Sequence, residues 1–217
     1  MINYEALRVK MVDNQIRPTD VTSHSVLSAF LSVPREEFVP ADKKALAYID
    51  TDIAVGGGRY LMEPSPLAKL VQMATIGKDD LVLEVGCNSG YASAIFSQIA
   101  SSVVALESDE TLAGAATQTL SRLGYDNVAV VTGALEAGYK AEAPFDVIFL
   151  HGSVAVIPQA LFDQLRDGGR LVAVIGEGNA SRATLYIKER GVVTGRPVFN
   201  TSVKPLPGFA PAPEFVF

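Results

Sequence analysis

The sequence predicts an α/β protein built on a doubly wound, mostly parallel sheet with an N-terminal helical cap. Three observations carry this expectation. Five short apolar, β-branched runs recur after residue 80, and helical stretches separate them. A chain of 217 residues with 48% hydrophobic and only 19% charged side chains can also bury a core on both faces of such a sheet. The same composition excludes disordered chains and small disulfide-stapled scaffolds.

In chain order, Met11 to Ile16 and Val21 to Leu31 place apolar residues at helical spacing, with Asp20 or Thr22 able to cap the second segment. Two prolines then punctuate Val33-Pro34-Arg35-Glu36-Glu37-Phe38-Val39-Pro40 and favour extended backbone before each. Gly56-Gly57-Gly58 reads as a flexible loop, and Pro64 to Met73 resumes a helical apolar face. Strands are expected at Leu81 to Val85, Val103 to Leu106, Val128 to Val131, Val147 to Leu150 and Leu171 to Ile175. Helices are expected at Tyr91 to Ile99, at Glu110 to Leu123 closed by Gly124, and at Pro158 to Leu165. Thr184 to Lys188 and Val192 to Phe199 suit partly antiparallel final strands. The Pro-rich end, with Pro205, Pro207, Pro211 and Pro213, reads as a surface tail. Residues 1–80 are then a substrate-facing extension, and 81–217 an α/β ligand-binding domain with which it forms one integrated unit.

Charge and cysteine usage narrow the partners. With 18 basic and 24 acidic side chains the net charge is −6, and Lys43-Lys44 is the nearest approach to a basic cluster. Neutralising phosphates needs a concentrated basic face, so no nucleic acid is expected. The single cysteine, Cys87, cannot form an internal bridge, and no Cys/His grouping has zinc-ligand spacing. That fits a reducing cytoplasm and no metal. No apolar run reaches membrane-spanning length, and residues 1–10 lack the core of a secretory signal, so no membrane association is expected.

The chemistry concentrates at Glu84-Val85-Gly86-Cys87-Asn88-Ser89-Gly90-Tyr91, a glycine turn from the first strand of the sheet into a helix. Glycine lets the backbone bend sharply and approach a ligand, and the helix start offers free N–H groups. Glu107, beside Ser108 and 21 residues after Gly86, ends the second strand. An acid there accepts hydrogen bonds from ribose hydroxyls. Three residues separate Gly86 from Gly90, unlike the dinucleotide fingerprint, and Asn88 tolerates left-handed backbone where a middle glycine might be sought. Glu84, two residues before Gly86, points toward an S-adenosylmethionine site, where such an acid holds the loop amides.

The sequence resembles the protein-L-isoaspartate O-methyltransferases across roughly residues 8–176. The resemblance rests on Met11-Val12-x-x-Gln15-Ile16-Arg17, Val33-Pro34-Arg35-Glu36-x-Phe38-Val39-Pro40, Ala47-Tyr48-x-Asp50 and the stretch Leu83 to Tyr91. It continues through Leu123-Gly124-Tyr125-Asp126-Asn127-Val128, Ala143-Pro144-Phe145-Asp146 and Leu165-x-x-Gly168-Gly169-Arg170-Leu171-Val172. The resemblance implies a Rossmann-like class I methyltransferase fold, S-adenosyl-L-methionine as cofactor, and methyl transfer to isoaspartyl residues of damaged protein or peptide. It implies cofactor contacts at Glu84, Gly86, Cys87, Asn88, Ser89, Gly90, Glu107, Ser108, Ala134 and Leu135.

Three departures bear on that chemistry. The family's Gly-Gln-Thr-Ile-Ser-x-Pro stands here as Gly58-Arg59-Tyr60-Leu61-Met62-Glu63-Pro64, without the two hydroxyl residues. If Glu63 faced an anionic substrate at about 4 Å, repulsion would reach about 4 kcal/mol at an effective dielectric of about 20. Arg59 could offset this by pairing with Glu63 or with the substrate, and Tyr60 could donate its hydroxyl; alternatively Met62 packs in the core and Glu63 turns to solvent. The family's adenine-reading Gly-Asp-Gly is Gly133-Ala134-Leu135 here, a loss of about 1 kcal/mol that backbone groups at Ala134 and Leu135 could partly restore. His151 replaces a small residue at the end of the fourth strand, placed either to line the pocket as donor or base or to bond a neighbouring backbone group. His24 and Cys87 read as structural. Catalytic candidates are therefore Tyr60, Arg59 and His151. A different methyl acceptor, or a cofactor-binding domain without isoaspartyl activity, stands as the alternative.

Overall fold

The computed structural model describes residues 2–209. Helix α1 spans Tyr4–Met11, starting earlier than the apolar spacing predicts because Asn3 accepts from the Ala6 N–H at 3.0 Å and caps it. A π-helical turn over Val12–Ile16 and a 3₁₀ turn over Arg17–Thr19 continue it to Asp20, whose φ of 66° stops the run. Helix α2 spans His24–Ser32. Neither Asp20 nor Thr22 caps it. The Gln72 side chain accepts from the N–H groups of Thr22 and Ser23 at 2.7 and 2.8 Å, so a neighbouring helix does the work expected of a local cap. Residues Arg35–Phe38 form a 3₁₀ turn between extended Val33 and Val39.

The triglycine is not a loose loop. It turns a hairpin between β1 (Ile53–Gly56) and β2 (Arg59–Leu61), with φ of 110°, 56° and 71° at Gly56, Gly57 and Gly58. Helix α3 follows at Pro64–Ala74, with proline in its first turn where no N–H is needed. The main sheet has seven strands in the order β5-β4-β3-β6-β7-β8-β9. Strands β3 (Leu81–Val85), β4 (Ser102–Glu107), β5 (Val128–Thr132), β6 (Phe145–Val154) and β7 (Leu165–Ile175) run parallel. Strands β8 (Arg182–Glu189) and β9 (Val192–Asn200) close one edge antiparallel, as the sequence predicts. Helices α4 (Tyr91–Ser97), α5 (Glu110–Arg122) and α6 (Gln159–Asp163) make the crossovers.

Period-two alternation splits β3 between the two faces. Val82 joins a core with Met11, Phe30, Leu67, Ile95 and Phe96, whereas Leu83 and Val85 join one with Leu106, Ile148, Leu161 and Leu171. The N-terminal helices thus share their core with the sheet.

Beyond β9 the chain corrects the expectation of a surface tail. The Ser153 N–H donates to Lys204 O at 3.0 Å, and the Leu206 N–H donates to Ser153 O at 2.8 Å. Leu206 and Phe209 are buried, because their apolar side chains find the open face beside β6 whatever the local proline content. Pro211 and Pro213 lie outside the described residues. Among those residues no helix is long and apolar enough to cross a membrane.

Candidate functional site

Strand β3 lies between β4, reached by one crossover, and β6, which continues the sheet the other way. Strand order reverses there, so the carboxyl ends of β3, β4 and β6 border a crevice. The turn Gly86 to Gly90 sits at its floor. Gly86, Asn88 and Gly90 take φ of 83°, 60° and 86°, and Asn88 supplies the left-handed position that its side chain tolerates. The N–H groups of Gly86 and Cys87 donate to Leu106 O at 2.8 and 3.0 Å, which ties the turn to β4.

Glu107 is fully buried at the end of β4. Its carboxylate accepts from the N–H groups of Asn88 at 2.7 Å, Ser108 at 2.8 Å and Asp109 at 3.2 Å. It also accepts from Arg59, whose Nη1 lies 2.8 and 3.0 Å from the two oxygens, while Arg59 Nη2 donates to Gly86 O at 2.9 Å. Arg59 therefore reaches Glu107 and not Glu63. Asn88 Nδ2 donates to Tyr60 O at 2.6 Å, so the hairpin is strapped across the turn at two consecutive residues.

Glu84 does not hold the loop amides. Strand alternation turns it toward α4, where its oxygens meet Ser93 Oγ at 2.5 Å and His151 Nδ1 at 2.7 Å. His151 is buried and its partner is this distant carboxylate, not a neighbouring backbone group. Among the described residues its Nε2 has no partner, nor do the buried Asn88 Oδ1 and Ser89 Oγ. Leu135 is buried and Ala134 exposed; their carbonyls accept from Gly138 and Ala137. Burial pushes the Cys87 thiol well up, with Glu84 and Glu107 adding to it, so it is no nucleophile. His24 opens α2, remote in sequence from the turn and on no strand end. Among the described residues no group of His, Cys, Asp and Glu is placed to hold a metal.

Sequence reasoning missed two residues here. Leu206 covers Gly86, and Lys204 places its ammonium 5.1 Å from the Tyr60 ring centroid. Their proline-rich setting hid them, although two large apolar residues, Leu206 and Phe209, in that setting were a usable signal.

A sequence model described as protein-L-isoaspartate(D-aspartate) O-methyltransferase matches residues 6–207. The chain belongs to this family. The protein-L-isoaspartate O-methyltransferase of Koribacter versatilis is 35% identical over 208 residues, covering 94% of each chain. That of Opitutus terrae is 34% identical over 194 residues, 89% of this chain and 82% of the relative. A solved protein-L-isoaspartate O-methyltransferase superposes with a TM-score of 0.80 at 27% identity, covering 95% of this chain and 66% of that one. A putative enzyme of the same name from Plasmodium falciparum, solved with S-adenosyl-L-homocysteine, gives 0.79 at 20% identity, covering 95% and 99%, and supports the fold.

Against the family's Thr-Ile-Ser, Leu61 and Met62 are core residues, and Tyr60 is 38% exposed. Glu63 is half-buried, its backbone N–H held by Asp52 at 3.0 Å. Burial raises the Glu63 pKa first, and Asp50 and Asp52 raise it further. A carboxyl raised in the fold disfavours folding where it is charged, and that penalty fades as pH falls through its raised pKa. Glu63→Gln is therefore expected to raise the unfolding free energy at about neutral pH by less than about 1 kcal/mol, since solvent screens so open a site. The gain should shrink toward about pH 4, as paired urea titrations would record.

The turn meets one test of a nucleoside site: Asn88 Oδ1, Ser89 Oγ and His151 Nε2 are buried polar atoms awaiting partners beside a buried carboxylate. These residues suit S-adenosylmethionine in their donor and acceptor chemistry.

Proposed function

We propose that the protein transfers a methyl group from S-adenosylmethionine to the carboxylate of an isoaspartyl residue in a protein or peptide. One observation carries this within the family: the Gly86–Gly90 turn with Glu107 bonded across it at 2.7 Å from the Asn88 N–H. When bound, the cofactor supplies an electrophilic methyl group. Glu107 would hold its ribose, and Gly86, Cys87, Asn88, Ser89 and Gly90 would line its amino-acid end, with Ala134 and Leu135 beside the base and Ser108 next to the sugar.

The acceptor carboxylate is ionised at neutral pH and needs no base. The chain's task is alignment and exclusion of water. Tyr60 would direct the acceptor from the hairpin, and the exposed Lys204 beside its ring would offer the carboxylate a cation. His151, held by Glu84 at Nδ1, keeps Nε2 free to bond a bound molecule.

The test is incorporation of labelled methyl into an isoaspartyl peptide, with the normal aspartyl peptide as control. Cofactor binding without transfer would refute this acceptor. Asp50 and Asp52, close enough to Glu63 to raise the cost of its charge, make an acidic cluster that favours a second reading in which the acceptor is neutral or basic. Methylation of such substrates in place of the isoaspartyl peptide would establish it.

A further inference from the structure

We propose that Arg59 is a built-in occupant of the ribose seat: the Arg59–Glu107 pair and the bound cofactor exclude one another, and the β1–β2 hairpin must lift Arg59 away before cofactor enters. The proposal rests on the reading of Glu107 as the ribose acceptor.

Acceptor capacity makes the competition strict. A carboxylate offers about four lone-pair directions. Oε1 of Glu107 already receives Arg59 Nη1, the N–H groups of Ser108 and Asp109, and Ser108 Oγ at 3.3 Å. Oε2 receives Arg59 Nη1 and the Asn88 N–H. A ribose diol brings two more O–H donors to oxygens whose backbone bonds are fixed by the turn. Arg59 is the partner that can leave. Its guanidinium also fills space as well as valence, since a Cβ placed on Gly86 would lie 2.8 Å from Nη2. Arg59 and Glu107 are both buried, so the pair closes the carboxylate off from solvent.

The hairpin is anchored in the core at its base by Ile53 and Leu61, and the part able to move is its tip, next to which Arg59 stands. The hairpin has only two short strands, outside the seven-stranded sheet, and small isolated hairpins are marginal by themselves. Three glycines with positive φ form its tip, and that tip rests against Asp109, the cap of α5. The tip and the start of β2 are fastened by Gly57 against Asp109, Arg59 on Glu107 and Gly86, and Tyr60 O on Asn88 Nδ2, while Lys43 Nζ donates to Ala54 O at 2.7 Å on the other strand. Removing the charged contact should weaken the strap and free the acceptor together.

The experiment is calorimetric titration of the full chain and of Arg59→Gln with S-adenosylhomocysteine. Glu107 keeps its three backbone donors in this variant, so the turn should survive. Arg59→Gln is expected to bind at least tenfold more tightly. Arg59→Met, which keeps the stem and removes every donor, should do the same. Equal or weaker affinity in both folded variants would overturn the proposal, and so would failure of every form to bind. Hydrogen exchange on the native chain gives a readout without substitution: saturating ligand should speed exchange in 53–61 while slowing it in 86–90. Slower exchange in 53–61 would also overturn the proposal. Tighter binding without methyl transfer to an isoaspartyl peptide would leave the proposal standing and remove the isoaspartyl reading. Transfer by the native chain, with affinity unchanged in both variants, would do the reverse.

Discussion

Replacing Glu107 by glutamine is expected to lower the unfolding free energy by about 3 kcal/mol, because it strands a buried guanidinium without its counter-charge. Glu107 is fully buried and Arg59 nearly so, and the amide nitrogen of a glutamine would face N–H groups where an oxygen now accepts. Arg59→Gln should cost less, since the carboxylate it leaves behind retains the N–H groups of Asn88, Ser108 and Asp109. That asymmetry is the discriminating outcome. Urea titrations of both variants and of the double variant give the coupling between the two side chains. Equal losses in the two single variants would mean that the backbone donors contribute little to holding the carboxylate.

The second large effect is expected at Arg35, whose replacement by methionine should also cost about 3 kcal/mol. Arg35 is wholly buried, donates to Ala47 O at 2.7 Å and to Met62 O at 2.8 Å, and lies 4.9 Å over the Tyr91 ring. Truncation of the donors leaves two buried carbonyls unpaired, at about 1–3 kcal/mol each, and loses the cation–π contact. Relief from burying a charge offsets part of this, and burial does depress the Arg35 pKa. Arg35→Lys should recover little, because one ammonium cannot span both carbonyls as a planar fork does. A midpoint unchanged in Arg35→Met would show that the two carbonyls find other partners. The same variant should loosen the residues that follow β2, since Met62 O is one of the two anchors.

These two arginines show what a sequence can and cannot disclose. The parallel strands were legible because β-branched runs buried on both faces have few other uses, and the Gly86 turn was legible because its signals are local. Val-Pro-Arg-Glu was legible as a family signature, while its physical task, stapling residues 12 and 27 positions away, was not. Arg59 reaches an acid 48 residues further along the chain, and nothing in its neighbourhood names that partner. The hairpin was read as a loop because strands of four and three residues around three glycines carry too little periodicity. Proline content likewise outweighed Leu206 and Phe209 in the reading of 205–209, although burial of those two side chains decides where the segment lies. Asn3 was an unused signal for the start of α1.

The segment after β9 has a consequence for the order in which the molecule is made. Leu206 covers Gly86, and Lys204 O and Leu206 crowd Gly152, so the floor of the crevice is finished by the last stretch of described chain. The parallel strands can pair while that stretch is still being synthesised. During translation the crevice floor would therefore stay unfinished beside an already formed turn, and its last piece would arrive only after the edge strands had been made.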